Sequence, residues 1–114
     1  MPPNVIGQKE YVCRVLSAYG ATPGTTGNIR PQDRLLAAQL HQRSVPLSVV
    51  ENALVLAAAR RLFRSPDSPP LGTIRSLAYF LPVIDEVLHL DVSPDYFRYL
   101  RHKIERHTST PSER

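Results

Sequence analysis

Apolar residues recur at three- and four-residue intervals along most of this chain, and prolines separate the pattern into five helical segments. The first segment covers residues 8–19, and the glycine-rich stretch 20–28 after it predicts a flexible loop. We therefore expect residues 1–28 to form a mobile N-terminal helix and loop, followed by a helical core domain at 29–107. The apolar positions of the first helix are Tyr11, Val12, Val15, Leu16 and Tyr19.

The second and third segments are separated by a turn that contains Pro46. Pro31 suits the first turn of the second helix, which should end near Arg43 because a proline disfavours helical geometry in the residue before it. The expected apolar face of this helix consists of Leu35, Leu36, Ala37, Ala38 and Leu40.

The third helix is predicted over residues 46–64. It begins either at Pro46 or at the pair Ser48 and Glu51, which has the spacing of a capping box. Its side chains are apolar nearly all round, and a helix with so little polar surface is typical of the centre of a core.

The fourth segment, residues 73–88, contains Pro82, which predicts a kink or a break into two short helices. Its expected inner stripe is Ile74, Leu77, Ala78, Leu81, Ile84 and Leu88.

The fifth helix should start at Ser93-Pro94-Asp95 and end near Arg106, with Phe97, Leu100 and Ile104 facing inward. Residues 108–114 predict a disordered tail. No segment alternates as a strand does. The sequence therefore predicts an all-α fold, a single compact domain of about five helices around a central apolar helix.

Composition places this domain among globular proteins, with 42% hydrophobic and 21% charged residues. No apolar run approaches the roughly 18 residues that a membrane span needs. A lone Cys13, expected in the core, and an N-terminus without signal-peptide character favour a cytoplasmic location.

Catalytic chemistry is not indicated. The four histidines are scattered, and Glu86 with His89 would need further ligands on facing helices to form a di-iron site. The loop at 20–28 lacks the spacing and the lysine of a phosphate-binding P-loop. We expect a protein without enzymatic activity and without a cofactor or metal.

The charge balance is more informative, since 14 Lys and Arg stand against 10 acidic residues and twelve of the 14 are arginine. Cations on the last helix are interleaved with tyrosines, a combination that suits phosphates and exposed bases. The candidate nucleic-acid contacts are Arg98, Arg101, Lys103 and Arg106 for phosphates, Tyr99 for stacking, and Arg60, Arg61 and Arg64 as flanking charge.

Two alternatives stay open for these residues. The basic side chains of the last helix also suit the negative end of a helix dipole on an ordinary solvated face. The second and third helices have the arrangement of a helix-turn-helix, but the reading positions would be Ser48, Glu51 and Asn52, without a cation among them.

The stretch from residue 31 to 88 contains Ser44-Val45-Pro46, a helix ending in Arg60-Arg61, and the run from Ile74 to Phe80. In these features it resembles helical regions of bacterial plasmid, phage and mobile-element replication initiators, and the DnaD-type C-terminal domain in particular. The resemblance covers about half the chain, and the tryptophan typical of those domains is absent. It implies a helical module that contacts single-stranded DNA or replication proteins.

The sequence therefore predicts a non-enzymatic nucleic-acid-binding module, an accessory factor in DNA replication or mobile-element biology. The rival hypothesis is a protein-interaction adaptor or oligomerising domain that docks through Tyr11, Val15 and Tyr19 of its first helix. Neither hypothesis involves a membrane.

Overall fold

A computed structural model describes residues 6–64, 67–69, 71–90 and 94–109. Within these residues the fold is all-α, as predicted, and no named strand is present. The α-helices are α1 (Gln8–Ala21), α2 (Pro31–Gln42), α3 (Leu47–Leu62), α4 (Leu81–Leu88) and α5 (Pro94–Ser109), and a single 3₁₀ turn (Leu77–Phe80) precedes α4.

The helix α3 lies at the centre of the domain, which confirms its predicted position. It packs against α1, α4, α5 and the 3₁₀ turn. Because apolar side chains occur on almost every side of α3, each neighbour finds an apolar surface to bury. Its buried residues are Val50, Ala53, Leu54, Leu56, Ala57, Ala58 and Ala59.

The first helix packs onto the rest of the domain and does not stand apart from it. Tyr11, Val15 and Tyr19 are fully buried in the same core as α3. The Tyr11 hydroxyl donates to the Val45 carbonyl at 2.7 Å, and burial raises the pKa of Tyr11 to about 12. Because these three side chains are buried, they are not available on the surface for the docking that the rival hypothesis requires.

The loop after α1, which was predicted to be flexible, is attached to the body by backbone hydrogen bonds. The Ile74 amide donates to the Gly24 carbonyl at 2.7 Å, and the Thr26 amide donates to the Ile74 carbonyl at 3.0 Å. These bonds accompany an isolated parallel bridge between Thr25 and Ile74. The bridge joins two segments that lie about fifty residues apart in the chain.

The turn between α2 and α3 is tight, and Ser44 adopts a left-handed conformation with φ of 60°. The helix α3 then begins at Leu47 with Pro46 as its N-cap and without a side-chain cap, so the Ser48–Glu51 capping box does not form. On α2, the expected core position Leu35 is instead 62% exposed.

The fourth segment is broken into the two short helices that Pro82 predicts, since the 3₁₀ turn ends where α4 begins. Its first residues are not helical, because Ile74 takes part in the bridge to the loop. Two positions of the expected inner stripe, Ala78 and Leu88, are exposed, so that prediction was wrong for them.

The helix α5 packs on α3 through Phe97, Leu100 and Ile104, as predicted. It continues to Ser109, past the predicted start of the tail, and residues 110–114 lie outside the described residues. Cys13 is exposed on α1, which contradicts its predicted core position. None of the described helices is long and apolar enough to cross a membrane.

Candidate functional site

The candidate interface on α5 is built around an amine held between two aromatic rings. The Lys103 ammonium lies 4.5 Å from the centre of the Phe63 ring and 5.9 Å from the centre of the Tyr99 ring. Phe63 is 37% exposed and Tyr99 is 55% exposed. The packing of α5 on the end of α3 therefore creates a surface with one cation and two partly exposed rings.

Phe63 was expected only as an apolar residue of the third helix, and its part in this surface was missed. The sequence contains a weak signal, because Phe63 lies in a short run of arginines, where an aromatic ring is close to solvent. Its pairing with Lys103 spans forty residues and follows only from the packing of the two helices.

The arginines of α5 differ in their surroundings. Arg98 is paired with Asp95 one turn earlier on α5. Arg101 is exposed and reaches the Asn52 side-chain oxygen of α3 at 3.4 Å. Arg106 is also exposed. Arg101 therefore contacts a neutral amide oxygen, whereas Arg98 already has a carboxylate.

The contact between Arg101 and Asn52 also bears on the helix-turn-helix alternative. Glu51 and Val55 line one groove with Arg101 and Ile104, so α5 lies against the beginning of α3. The expected reading positions Glu51 and Asn52 therefore face α5. This arrangement favours a packed helical hairpin over a helix that enters a groove of DNA.

Arg60 is engaged in a bidentate ion pair with Glu86 of α4, with N–O distances of 2.8 and 2.5 Å. The hydrogen bond from Arg60 lowers the pKa of Glu86, and the same bond raises the pKa of Arg60. A guanidinium whose fork is filled by a carboxylate has little left to offer a phosphate. The predicted role of Arg60 as flanking charge is therefore not favoured by its geometry.

Arg61 and Arg64 bind backbone carbonyls of their own chain. Arg61 donates to the Gly72 carbonyl at 2.7 Å and to the Tyr79 hydroxyl at 3.2 Å, and its guanidinium lies over the Tyr79 ring. Arg64 donates to the Pro69 carbonyl at 2.9 Å. Both side chains hold the segment after α3 in place.

The predicted contact residues therefore fall into two groups. Tyr99, Lys103, Arg101 and Arg106 are all on α5, where Lys103 contacts the rings of Tyr99 and Phe63 and Arg101 reaches Asn52 in a separate groove. The others, Arg98, Arg60, Arg61 and Arg64, make internal contacts through carboxylates or carbonyls.

A second basic site was missed by the sequence reasoning. A cleft of about 360 Å³ is lined by Thr26, Asn28, Arg30, Thr73 and Arg75, and no carboxylate is among these residues. The signal in the sequence is an alternation, because Thr26, Asn28 and Arg30 occupy every second position, as do Thr73 and Arg75. The alternation is too short to predict a strand, and the sequence does not show that the two runs meet.

Two histidines of the described residues make contacts within the fold. Within the described part of the chain, no three residues of His, Cys, Asp or Glu lie close enough to hold a metal ion together. His89 is near the Asp85 carbonyl, with 2.8 Å between Nδ1 and the oxygen, and His41 packs edge-on against the Tyr11 ring. These contacts belong to helix ends and to the core.

The chain matches no protein-family model, no curated protein and no solved structure. The resemblance to replication initiators therefore stays a prediction, and the functional argument depends on the surfaces themselves.

Proposed function

We propose that this domain is a non-enzymatic module that binds single-stranded nucleic acid through α5 and the end of α3. The observation that carries the proposal is the Lys103 ammonium between the exposed rings of Phe63 and Tyr99. Exposed rings stack on unpaired bases without regard to sequence, and nearby cations contact the phosphates between them.

The contact residues are fewer than the sequence predicts. Tyr99 and Phe63 provide stacking surfaces, and Lys103, Arg101 and Arg106 provide positive charge. A role as an accessory factor in DNA replication or mobile-element biology is the specific form of this proposal, and it depends on the resemblance of residues 31–88.

The test is fluorescence anisotropy with a labelled oligothymidylate of about 16 nucleotides. Affinity should fall by about 0.7 log units per neutralised phosphate for each tenfold rise in salt concentration. The double charge reversal Arg101→Glu with Lys103→Glu should abolish measurable binding.

The matched control is Lys9→Glu with Arg14→Glu, because it changes the net charge by the same amount on exposed positions of α1. If both double variants weaken binding equally, the contact is only long-range attraction and the α5 interface is wrong. If the unaltered domain does not bind the strand at low salt, the proposed function itself is wrong.

A second candidate function, a protein-interaction or oligomerising domain, is favoured by a different observation. Leu35 is exposed on α2, and it lines a shallow groove with Ile29 and Ala38. Light scattering tests this candidate. A concentration-dependent dimer that Leu35→Ser returns to a monomer would support it, and a monomer at all concentrations would contradict self-association.

A further inference from the structure

The cleft between the loop before α2 and the segment before the 3₁₀ turn contains hydrogen-bond donors of three kinds. Arg30 and Arg75 contribute guanidinium groups, Thr26 and Thr73 contribute hydroxyls, and Asn28 contributes a side-chain amide. The Thr26 hydroxyl oxygen already accepts a hydrogen bond from the backbone amide of Asn28 at 3.1 Å, so the hydroxyl's own proton is free to donate.

The bridge between Thr25 and Ile74 explains why side chains of the two segments converge. In extended backbone, successive side chains point to opposite sides. Ile74 is buried, and Thr25 hydrogen-bonds to backbone carbonyls on the inner side. Their neighbours Thr26, Thr73 and Arg75 therefore line the outer side, where the cleft lies.

A buried carboxylate fixes one end of the cleft. Asp33 is only 1% exposed and accepts the backbone amide of Arg30 at 3.0 Å and that of Leu77 at 2.9 Å. Both carboxylate oxygens are thus occupied by backbone donors from the two segments that form the cleft. Asp33 orders the site and leaves the arginine side chains to face outward.

Neither guanidinium group of the cleft is neutralised by a described carboxylate, and that of Arg30 is also held in position. The Arg30 guanidinium donates to the Arg75 carbonyl, which holds Arg30 against the opposite segment. Among the described residues, no carboxylate lies within ion-pair distance of Arg30 or Arg75. Arg60 and Arg98 differ from them in this respect, because each has an acidic partner.

We infer that this cleft binds a phosphate group. The Arg75 guanidinium, the remaining donors of Arg30 and the hydroxyls of Thr26 and Thr73 match the several oxygens and the negative charge of a phosphate. The cleft is open at its mouth, so a phosphate monoester or a diester within a nucleic-acid strand can enter with its sugar outside. The inference is independent of the α5 interface, because it uses none of the same residues.

The test is a titration with inorganic phosphate, followed through the backbone amide resonances of Thr26, Asn28 and Arg75 by NMR. Sodium chloride at the same ionic strength is run in parallel. Phosphate should produce saturable shifts at these amides, and chloride should not.

Arg75→Gln is the decisive variant, because the Arg75 side chain makes no hydrogen bond or ion pair within the described structure, and its loss should leave the fold intact. It should raise the apparent Kd for phosphate at least about tenfold, the loss expected for one charge-assisted bidentate contact. Arg14→Gln removes the same charge from α1 and should bind phosphate as the unaltered domain does.

Thymidine 5′-monophosphate and an oligothymidylate without terminal phosphate distinguish the two sources. Saturable shifts with the mononucleotide, and none with thymidine, assign a phosphate monoester. Shifts with the oligomer alone assign a backbone diester. Both outcomes support the cleft as a phosphate site.

The inference is overturned if phosphate and chloride give the same shifts, or if Arg75→Gln responds as the unaltered domain does. The Arg101→Glu, Lys103→Glu variant should retain the response to inorganic phosphate. The experiments can therefore contradict the α5 interface without contradicting the cleft, and the cleft without contradicting the α5 interface.

Discussion

The surface of α5 and the cleft before α2 are both basic, but their arginines are used differently. Arg98 on α5 and Arg60 beside it each bind a carboxylate of the same chain, and the accessible feature of that surface is the Lys103 ammonium between two rings. In the cleft, Arg30 and Arg75 have no described carboxylate partner. A count of positive charges ranks α5 first, but it does not show which of those charges a carboxylate of the same chain neutralises.

The two regions also differ in what holds them. The surface of α5 depends on the burial of Phe97, Leu100 and Ile104 against α3. The cleft depends on a few polar contacts between distant segments, of which those made by Asp33 are the most buried. We therefore expect single substitutions in the two regions to change the stability of the domain by unequal amounts.

The largest expected effect is on stability, from Asp33→Ala. This change leaves the amides of Arg30 and Leu77 without their acceptor, at a cost of about 3 kcal/mol in the free energy of unfolding. Urea denaturation measures it. Asp85→Ala is the control, since its exposed pair with Arg43 has an N–O distance of 3.8 Å and should contribute less than about 0.5 kcal/mol. Equal losses for the two variants would show that Asp33 does not hold the cleft.

The next largest effect is expected on the affinity for nucleic acid, from a change to the exposed rings of α5. Tyr99→Ala should weaken binding to oligothymidylate about tenfold or more, since stacking on one base contributes about 1–3 kcal/mol. Tyr99→Phe keeps the ring and should bind normally. Tyr96→Ala removes a similarly exposed tyrosine that packs edge-on against Phe97, and a change below about threefold is expected. Identical losses for Tyr96→Ala and Tyr99→Ala would contradict stacking at a defined place.

A smaller loss of stability is expected from Gly24→Ala. Gly24 has a φ of +96°, and an added Cβ would lie 3.0 Å from Nε of Arg61, so the change should cost about 1–2 kcal/mol. Gly72→Ala serves as the matched change, because its Cβ would meet nothing within 4 Å. Thermal melts compare the two variants. If Gly24→Ala does not lower the Tm, the loop is free to move away from the body.

The smallest effect is the pH dependence of the Arg60–Glu86 pair. Because Arg60 lowers the pKa of Glu86, the pair stabilises the fold above the ordinary pKa of 4.5 and loses this contribution as the pH falls through the lowered value. The difference in Tm between the unaltered domain and Arg60→Gln should therefore be present at neutral pH and vanish in acid. A constant difference across that range would show that Arg60 acts through packing alone.

Much of the fold follows from local patterns. Phe97, Leu100 and Ile104 are buried as their spacing predicts, and the break before Pro82 occurs in the expected segment. The errors fall where a helix has more apolar positions than its neighbours can cover. Leu35 and Leu88 fit the helical spacing and are nevertheless exposed, since no other element packs over them closely enough to bury them.

The candidate sites were less predictable, because they depend on pairs that are distant in sequence. The sequence showed that α5 carries cations and tyrosines together, but not that Phe63 would meet Lys103. The sequence also suggested Arg60 as a ligand-binding charge, although its guanidinium is hydrogen-bonded to the Glu86 carboxylate.

The amino-acid sequence by itself determined the number of helices, their all-α class and the central position of α3, because helical periodicity and proline act within a few residues. Only the tertiary structure decided which cations are free to bind a ligand. That depends on whether a carboxylate, a carbonyl or another guanidinium from a distant segment comes within a few ångströms, as the bridge between Thr25 and Ile74 brings Arg75 to Arg30.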